Sequence, residues 1–118
     1  MTFDIIGLCR DEPGPETVIP ALAAAGEELL ADFRDEQPLI RLHHPDGRLM
    51  TTLEDVHLVR TDGEVRRLLG IGADVEAPHP VWWVEVWAPG DDPEAEATAR
   101  AFTTALVAGT GGLSWSNR

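Results

Sequence analysis

Hydrophobic and polar positions alternate most regularly between Pro80 and Pro89, where three of the four tryptophans lie. A two-residue repeat puts Trp82, Val84, Val86 and Ala88 on one side of a strand. Val81, Trp83, Glu85 and Trp87 fall on the other. The first set is wholly apolar and suits a core, whereas the second sets a carboxylate between two indoles. Phe3–Cys9 is apolar on both parities and short, the pattern of a central strand covered on both sides. Ile19, Leu22, Gly26, Leu29, Leu30 and Phe33 recur at helical spacing. They predict a helix capped by Thr17, with Pro20 in its first turn and Gly26 on the stripe nearest the sheet.

Leu39–His44 reads as a strand, and Asp46-Gly47 signals a hairpin. With those two residues at the loop centre, Ile40 pairs with Leu53, Leu42 with Thr51 and His44 with Leu49. Ile40, Leu42, Leu49 and Leu53 then share one face, and Arg41, His43, Met50 and Thr52 the other. The inward parity changes between Leu53 and Val56, which predicts a bulge or break at Glu54-Asp55. A short helical turn is expected over 63–69, capped by Asp62 and closed by Gly70. Asp91-Asp92-Pro93-Glu94 opens a second helix with an acidic cap and proline at its first position. Its apolar stripe is Ala95, Ala99, Phe102, Leu106 and Gly109, and Gly109, Gly111 and Gly112 stop it. Leu113-Ser114-Trp115 is long enough for a final short strand.

The resulting order, β-α-β-β-(short helix)-β-α-(β), predicts a single α+β domain over residues 1–118. It is a two-layer sandwich, a mostly antiparallel sheet with two helices on one face, related to ferredoxin-like topologies. On that architecture the helices cover Trp82, Val84 and Val86. Trp83, Glu85 and Trp87 lie on the other face, with Arg41, His43 and Thr52 as candidate neighbours.

Composition narrows the function classes. The chain has 118 residues, 43% of them hydrophobic, and a net charge of −12, and all of its basic residues are arginine. So large a negative charge argues against nucleic acid, whose binding relies on neutralised phosphates, and against anionic membrane surfaces. It permits a basic protein partner through electrostatic steering, although acidic surfaces usually serve only solubility. No apolar run is long enough to span a bilayer. The amino terminus lacks the basic region of a signal peptide, so a cytoplasmic location is expected. Cys9 lies in an apolar run and is expected to be a packed, inert thiol.

Candidate chemistry is sparse. His43, His44, His57 and His79 have no zinc-like spacing, and adjacent residues on a strand point apart, so solvated or structural histidines and no metal are expected. Glu85 between two indoles has the setting of a desolvated general acid. It has no identifiable catalytic companion, and a cross-strand ion pair with Arg41 or Arg60 accounts for it equally well. Ser114 and Ser116 lack a nucleophile-elbow context. Gly109-Thr110-Gly111-Gly112 follows a helix, has no lysine, and so is no phosphate loop. No cofactor is implied.

What remains is the face of Trp83, Glu85 and Trp87. Two indoles offer ~300–500 Å² of surface, the size of the largest apolar patch on an ordinary monomer. Either this face binds a second copy or another protein, or Trp115 and the carboxy-terminal tail fold over it. The expected function is therefore a non-enzymatic interaction or assembly module, with Trp83, Glu85, Trp87, Arg41 and His43 as its interaction face. The alternatives are an acidic inhibitor or immunity-type protein for a basic target, and a small enzyme or ligand carrier using the open sheet.

The segments Asp4–Leu8, Thr17–Leu30, Asp46-Gly47-Arg48, Val65–Gly70, Pro80–Glu85 and Gly111–Trp115 together resemble an actinobacterial family of unknown function. That family combines a hydrophobic first strand, an alanine-rich helix, a DGR hairpin, a VxRLLG turn, a PVWWxE strand and a terminal GGxxW. The resemblance implies an association with type VII secretion gene clusters. None of its motifs is catalytic.

Overall fold

The computed structural model describes residues 2–33, 40–60 and 80–117. In chain order the elements are β1 (Thr2–Cys9), α1 (Pro15–Ala25), β2 (Leu30–Phe33), β3 (Ile40–His43), β4 (Leu49–Val59), β5 (Val81–Pro89), α2 (Pro93–Thr110) and β6 (Leu113–Ser116). The six strands form one sheet in the order β2-β3-β4-β5-β1-β6, with every neighbouring pair antiparallel. This is the expected α+β sandwich. Because β5 and β6 both run antiparallel to the β1 between them, the β5-α2-β6 connection is a split crossover. The β1-α1-β2 connection is another, with a meander of β3, β4 and β5 filling the gap, so the ferredoxin-like plan is widened to six strands.

Both helices lie on one side of the sheet. Their core joins Phe3, Ile5 and Cys9 of β1, Val84, Val86 and Ala88 of β5, and Met50 and Leu53 of β4. Ala21 of α1 and Ala95, Ala99, Phe102, Leu106 and Val107 of α2 complete it, and Trp82 packs against its edge. Helix α2 begins as its sequence dictates. The Asp92 carboxylate accepts from the backbone N–H groups of Glu94 and Ala95 at 3.1 and 3.2 Å, and Pro93 takes the first position. The helix runs on through exposed Gly109 to Thr110 and closes at Gly111, whose φ of 74° is left-handed. A Cβ at Gly112 would come within 1.8 Å of the Leu8 carbonyl oxygen, so only glycine lets the chain turn this tightly into β6.

Several expectations need correction, among them Pro20, which lies inside the helix and not in its first turn. Helix α1 is capped at Gly14, with Pro15 opening it, and Thr17 sits three residues inside. The Thr17 hydroxyl accepts the Gly14 N–H at 3.2 Å. Gly26 is the helix's C-terminal cap, not part of its inner stripe. Beyond it the chain forms β2 instead of more helix, because pairing Leu30–Phe33 with His43–Ile40 supplies a ladder to backbone groups that the interrupted helix no longer serves. Leu30 is consequently 60% exposed and Ile19 63% exposed.

The hairpin between β3 and β4 is the remaining correction. Ile40↔Leu53 and Leu42↔Thr51 pair as expected, but the register shifts after Leu42 and pairs His43 with Leu49. The turn centres on Pro45-Asp46, closed by the Gly47 N–H donating to the His44 carbonyl at 2.8 Å, since proline presets the first central position. The shift rotates Met50 into the helix-side core, where it is 1% exposed, instead of onto the opposite face. The irregularity foreseen at Glu54-Asp55 is present, between Leu53 and Asp55. It lets Leu53 and Val56 both face the helices. The turn expected over 63–69 lies outside the described residues.

Candidate functional site

The helix-free side of the sheet is a grid of register positions. Its first row runs Arg41, Thr52, Trp87, Asp4 across β3, β4, β5 and β1. The second runs Asp55, Glu85, Ile6, Trp115, and the third His57, Trp83, Leu8, Leu113, across β4, β5, β1 and β6. Trp83, Glu85 and Trp87 therefore do share this side, as alternation requires. Arg41 stands two strands from Trp87, ~10 Å at normal strand spacing. His43 pairs with Leu49 and Leu30, toward the hairpin end of the sheet and away from Trp83.

The two indoles have different surroundings. Trp83 belongs to a second apolar cluster with Ile6, Leu8, Val59 and Val81, flanked by Leu113 and Trp115 of β6. It is only 7% exposed. Its Nε1–H donates to Glu85 Oε1 at 3.0 Å, and its ring stacks on His57 with centroids 6.0 Å apart. His57 is held by Asp55, with Nδ1 2.7 Å from Oδ2. This end of the face is a packed unit.

At the other end Trp87 is half-buried. Its Nε1 is out of contact with solvent and, among the described residues, has no hydrogen-bond partner; the same holds for the Thr52 hydroxyl opposite it. Beside Trp87 is an open recess of about 180 Å³, lined by Asp4, Ile6, Glu54, Glu85, Val86 and Trp87. Three carboxylates thus surround an indole and an isoleucine. Asp4 receives hydrogen bonds from Thr2 and from Asn117 Nδ2, and Glu85 from Trp83; all of these donors are neutral. Among the described residues no basic group forms an ion pair with Asp4, Glu54 or Glu85.

Asp4, Ile6 and Glu54 are the members that sequence reasoning missed. Asp4 and Ile6 stand on a strand that reads as apolar on both parities, so no alternation picks out their side. Glu54 was visible only as the point where β4 changes parity. It keeps the helix-free side that alternation from Thr52 gives it, and the irregularity between Leu53 and Asp55 then places Asp55 on that side as well.

The arrangement offers binding surface and little chemistry. Among the described residues no group of three His, Cys, Asp or Glu is arranged to hold a metal ion. Cys9 lies buried in the helix-side core, where burial pushes its thiol up from the ordinary value and a hydrogen bond with Thr110 acts the other way more weakly. No helix among the described residues is long and apolar enough to cross a membrane. No protein-family model, curated protein or solved structure matches this chain.

Proposed function

We propose that this protein is a non-enzymatic docking module whose working surface is the helix-free side of the sheet around Trp87. The observation that carries this reading is the half-buried Trp87 at the edge of an open recess. Its N–H is already out of contact with solvent, so what a partner gains is cover for the exposed part of the ring and for the recess beside it. Trp83 supports the surface from within, since its ring is packed and its N–H is used.

The same carboxylates favour a different protein over a second copy. A self-associating pair meeting through this face would bring Asp4, Glu54 and Glu85 against their equivalents, and like charges in contact are unfavourable. The surface therefore suits the acidic-inhibitor or adaptor version of an interaction module better than a homodimer.

Sedimentation of the labelled protein tests the reading, first in buffer and then in extract of its own host cells. The expected result is a 12.8 kDa monomer in buffer and a faster-sedimenting species in extract. That shift should be lost in Trp87→Ser and kept in Ile19→Ser, which changes an exposed apolar residue on the helix side. A shift kept in Trp87→Ser and lost in Ile19→Ser would place the docking surface on the helices and sink the proposal.

A further inference from the structure

Building on that docking reading, we infer that the recess beside Trp87 takes a basic side chain, a guanidinium or ammonium group presented by a partner protein. Charge complementarity is the first argument. Asp4, Glu54 and Glu85 converge on one recess, and among the described residues none forms an ion pair. Elsewhere several of this chain's acids are paired. Arg48 bridges Asp92 and Glu94, Arg100 reaches Glu96 and His57 holds Asp55. In a chain of net charge −12, those pairs leave the recess as a local concentration of uncompensated negative charge.

The shape and lining of the recess are the second argument. A volume of about 180 Å³ is room for roughly six waters at ~30 Å³ each, enough for a guanidinium with part of its stem. An indole wall is the aromatic surface that attracts a cation most strongly. Ile6 gives the methylene stem an apolar contact while the charged head meets the carboxylates. Asp4 and Glu85 are already oriented by neutral donors, so little side-chain freedom is lost when a cation arrives. Arginine fits this geometry better than lysine, because its planar fork engages two carboxylates and can still lie against the ring.

The test is a titration with N-acetyl-arginine amide at low ionic strength, followed through the indole N–H resonance of Trp87, which is assigned by its loss in Trp87→Phe. The expected result is a saturable shift of this resonance with N-acetyl-arginine amide and none with the uncharged N-acetyl-citrulline amide. Glu54→Gln/Glu85→Gln should weaken binding at least about fivefold, as loss of charge-assisted contacts requires. Glu27→Gln/Glu28→Gln removes the same charge from the loop after α1 and should change affinity less than about twofold. Glu54→Gln alone serves as the second variant: Glu54 is exposed, so its loss leaves folding intact and still weakens binding.

Equal weakening by the two double variants would reduce the effect to net charge and overturn the inference. So would a citrulline response as strong as that to arginine. Tighter binding of spermidine than of arginine amide would make the occupant a polyamine and also refute a protein side chain. Because the titration uses a small probe and no partner, its failure leaves the docking reading standing on the extract experiment. Absence of any extract shift for the unaltered protein would remove the docking reading whatever the probe does.

Discussion

At the scale of single residues, two tryptophans four positions apart on one strand make opposite predictions. Trp83 uses its N–H on Glu85 and its ring on His57, and is 7% exposed. Trp83→Phe removes the hydrogen bond to a carboxylate and leaves a void, and should destabilise the fold by about 1–3 kcal/mol in urea unfolding. Trp87→Phe deletes a donor that has no acceptor. That gain offsets the lost ring area, so its stability change should stay below ~1 kcal/mol. Equal losses in the two variants would mean that the Trp87 N–H is satisfied in solution. The side each indole takes was legible in the sequence, because alternation assigns it. Their unequal burial was not, because it depends on Val59, Leu113 and Trp115, which arrive from β4 and β6. Cys9 adds a simpler expectation: with its thiol buried and pushed toward the neutral form, alkylation by iodoacetamide at neutral pH should be slow in the folded protein and accelerate on unfolding.

At the scale of elements, the turn from α2 into β6 depends on glycine for two separate reasons. Gly111 adopts a left-handed conformation, and Gly112 passes so close to Leu8 that any side chain meets backbone. Gly112→Ala should therefore cost at least about 1–3 kcal/mol, the range for forcing atoms into filled space. Because β6 flanks the Trp83 cluster, the loss should come with a change in the tryptophan emission spectrum. An unchanged spectrum and stability would show that β6 is not anchored by this turn. The start of α2 was readable because cap, proline and charge agree over four consecutive residues. The end of α1 was not. Leu29, Leu30 and Phe33 continue the helical spacing past Gly26, and only pairing with β3, a tertiary event, turns Leu30–Phe33 into a strand. The irregularity in β4 was readable for the opposite reason: a parity change between Leu53 and Val56 calls for a bulge or a break at Glu54-Asp55, and the strand continues through it as a bulge. The hairpin register failed at one point, where Pro45 outweighed the Asp-Gly signal.

At the scale of the whole molecule, the net charge of −12 acts on stability and on binding with opposite signs. The acids repel one another over a small body with a radius of gyration of 13.8 Å. At low salt the Debye length is ~30 Å, longer than that radius, and at physiological ionic strength it falls to ~8 Å. Screening therefore relieves self-repulsion throughout the folded chain. The ion pairs that salt also weakens lie at the surface, with Asp92 of the Arg48 bridge the least exposed member, and such pairs contribute little each. Self-repulsion should dominate, so thermal unfolding should shift upward as sodium chloride is raised from low to physiological concentration. A basic side chain seated between Asp4, Glu54 and Glu85 responds the other way, because the same screening weakens its attraction. Arginine amide affinity should fall over the range in which the melting temperature rises. If both quantities fell together, the Arg48 bridge to Asp92 and Glu94 and its counterparts would outweigh the repulsion, and the surplus charge would be less of a burden on the fold than the composition implies. Opposed slopes would instead tie the acidity to the recess, as charge tolerated by the fold for a contact that the isolated chain does not make.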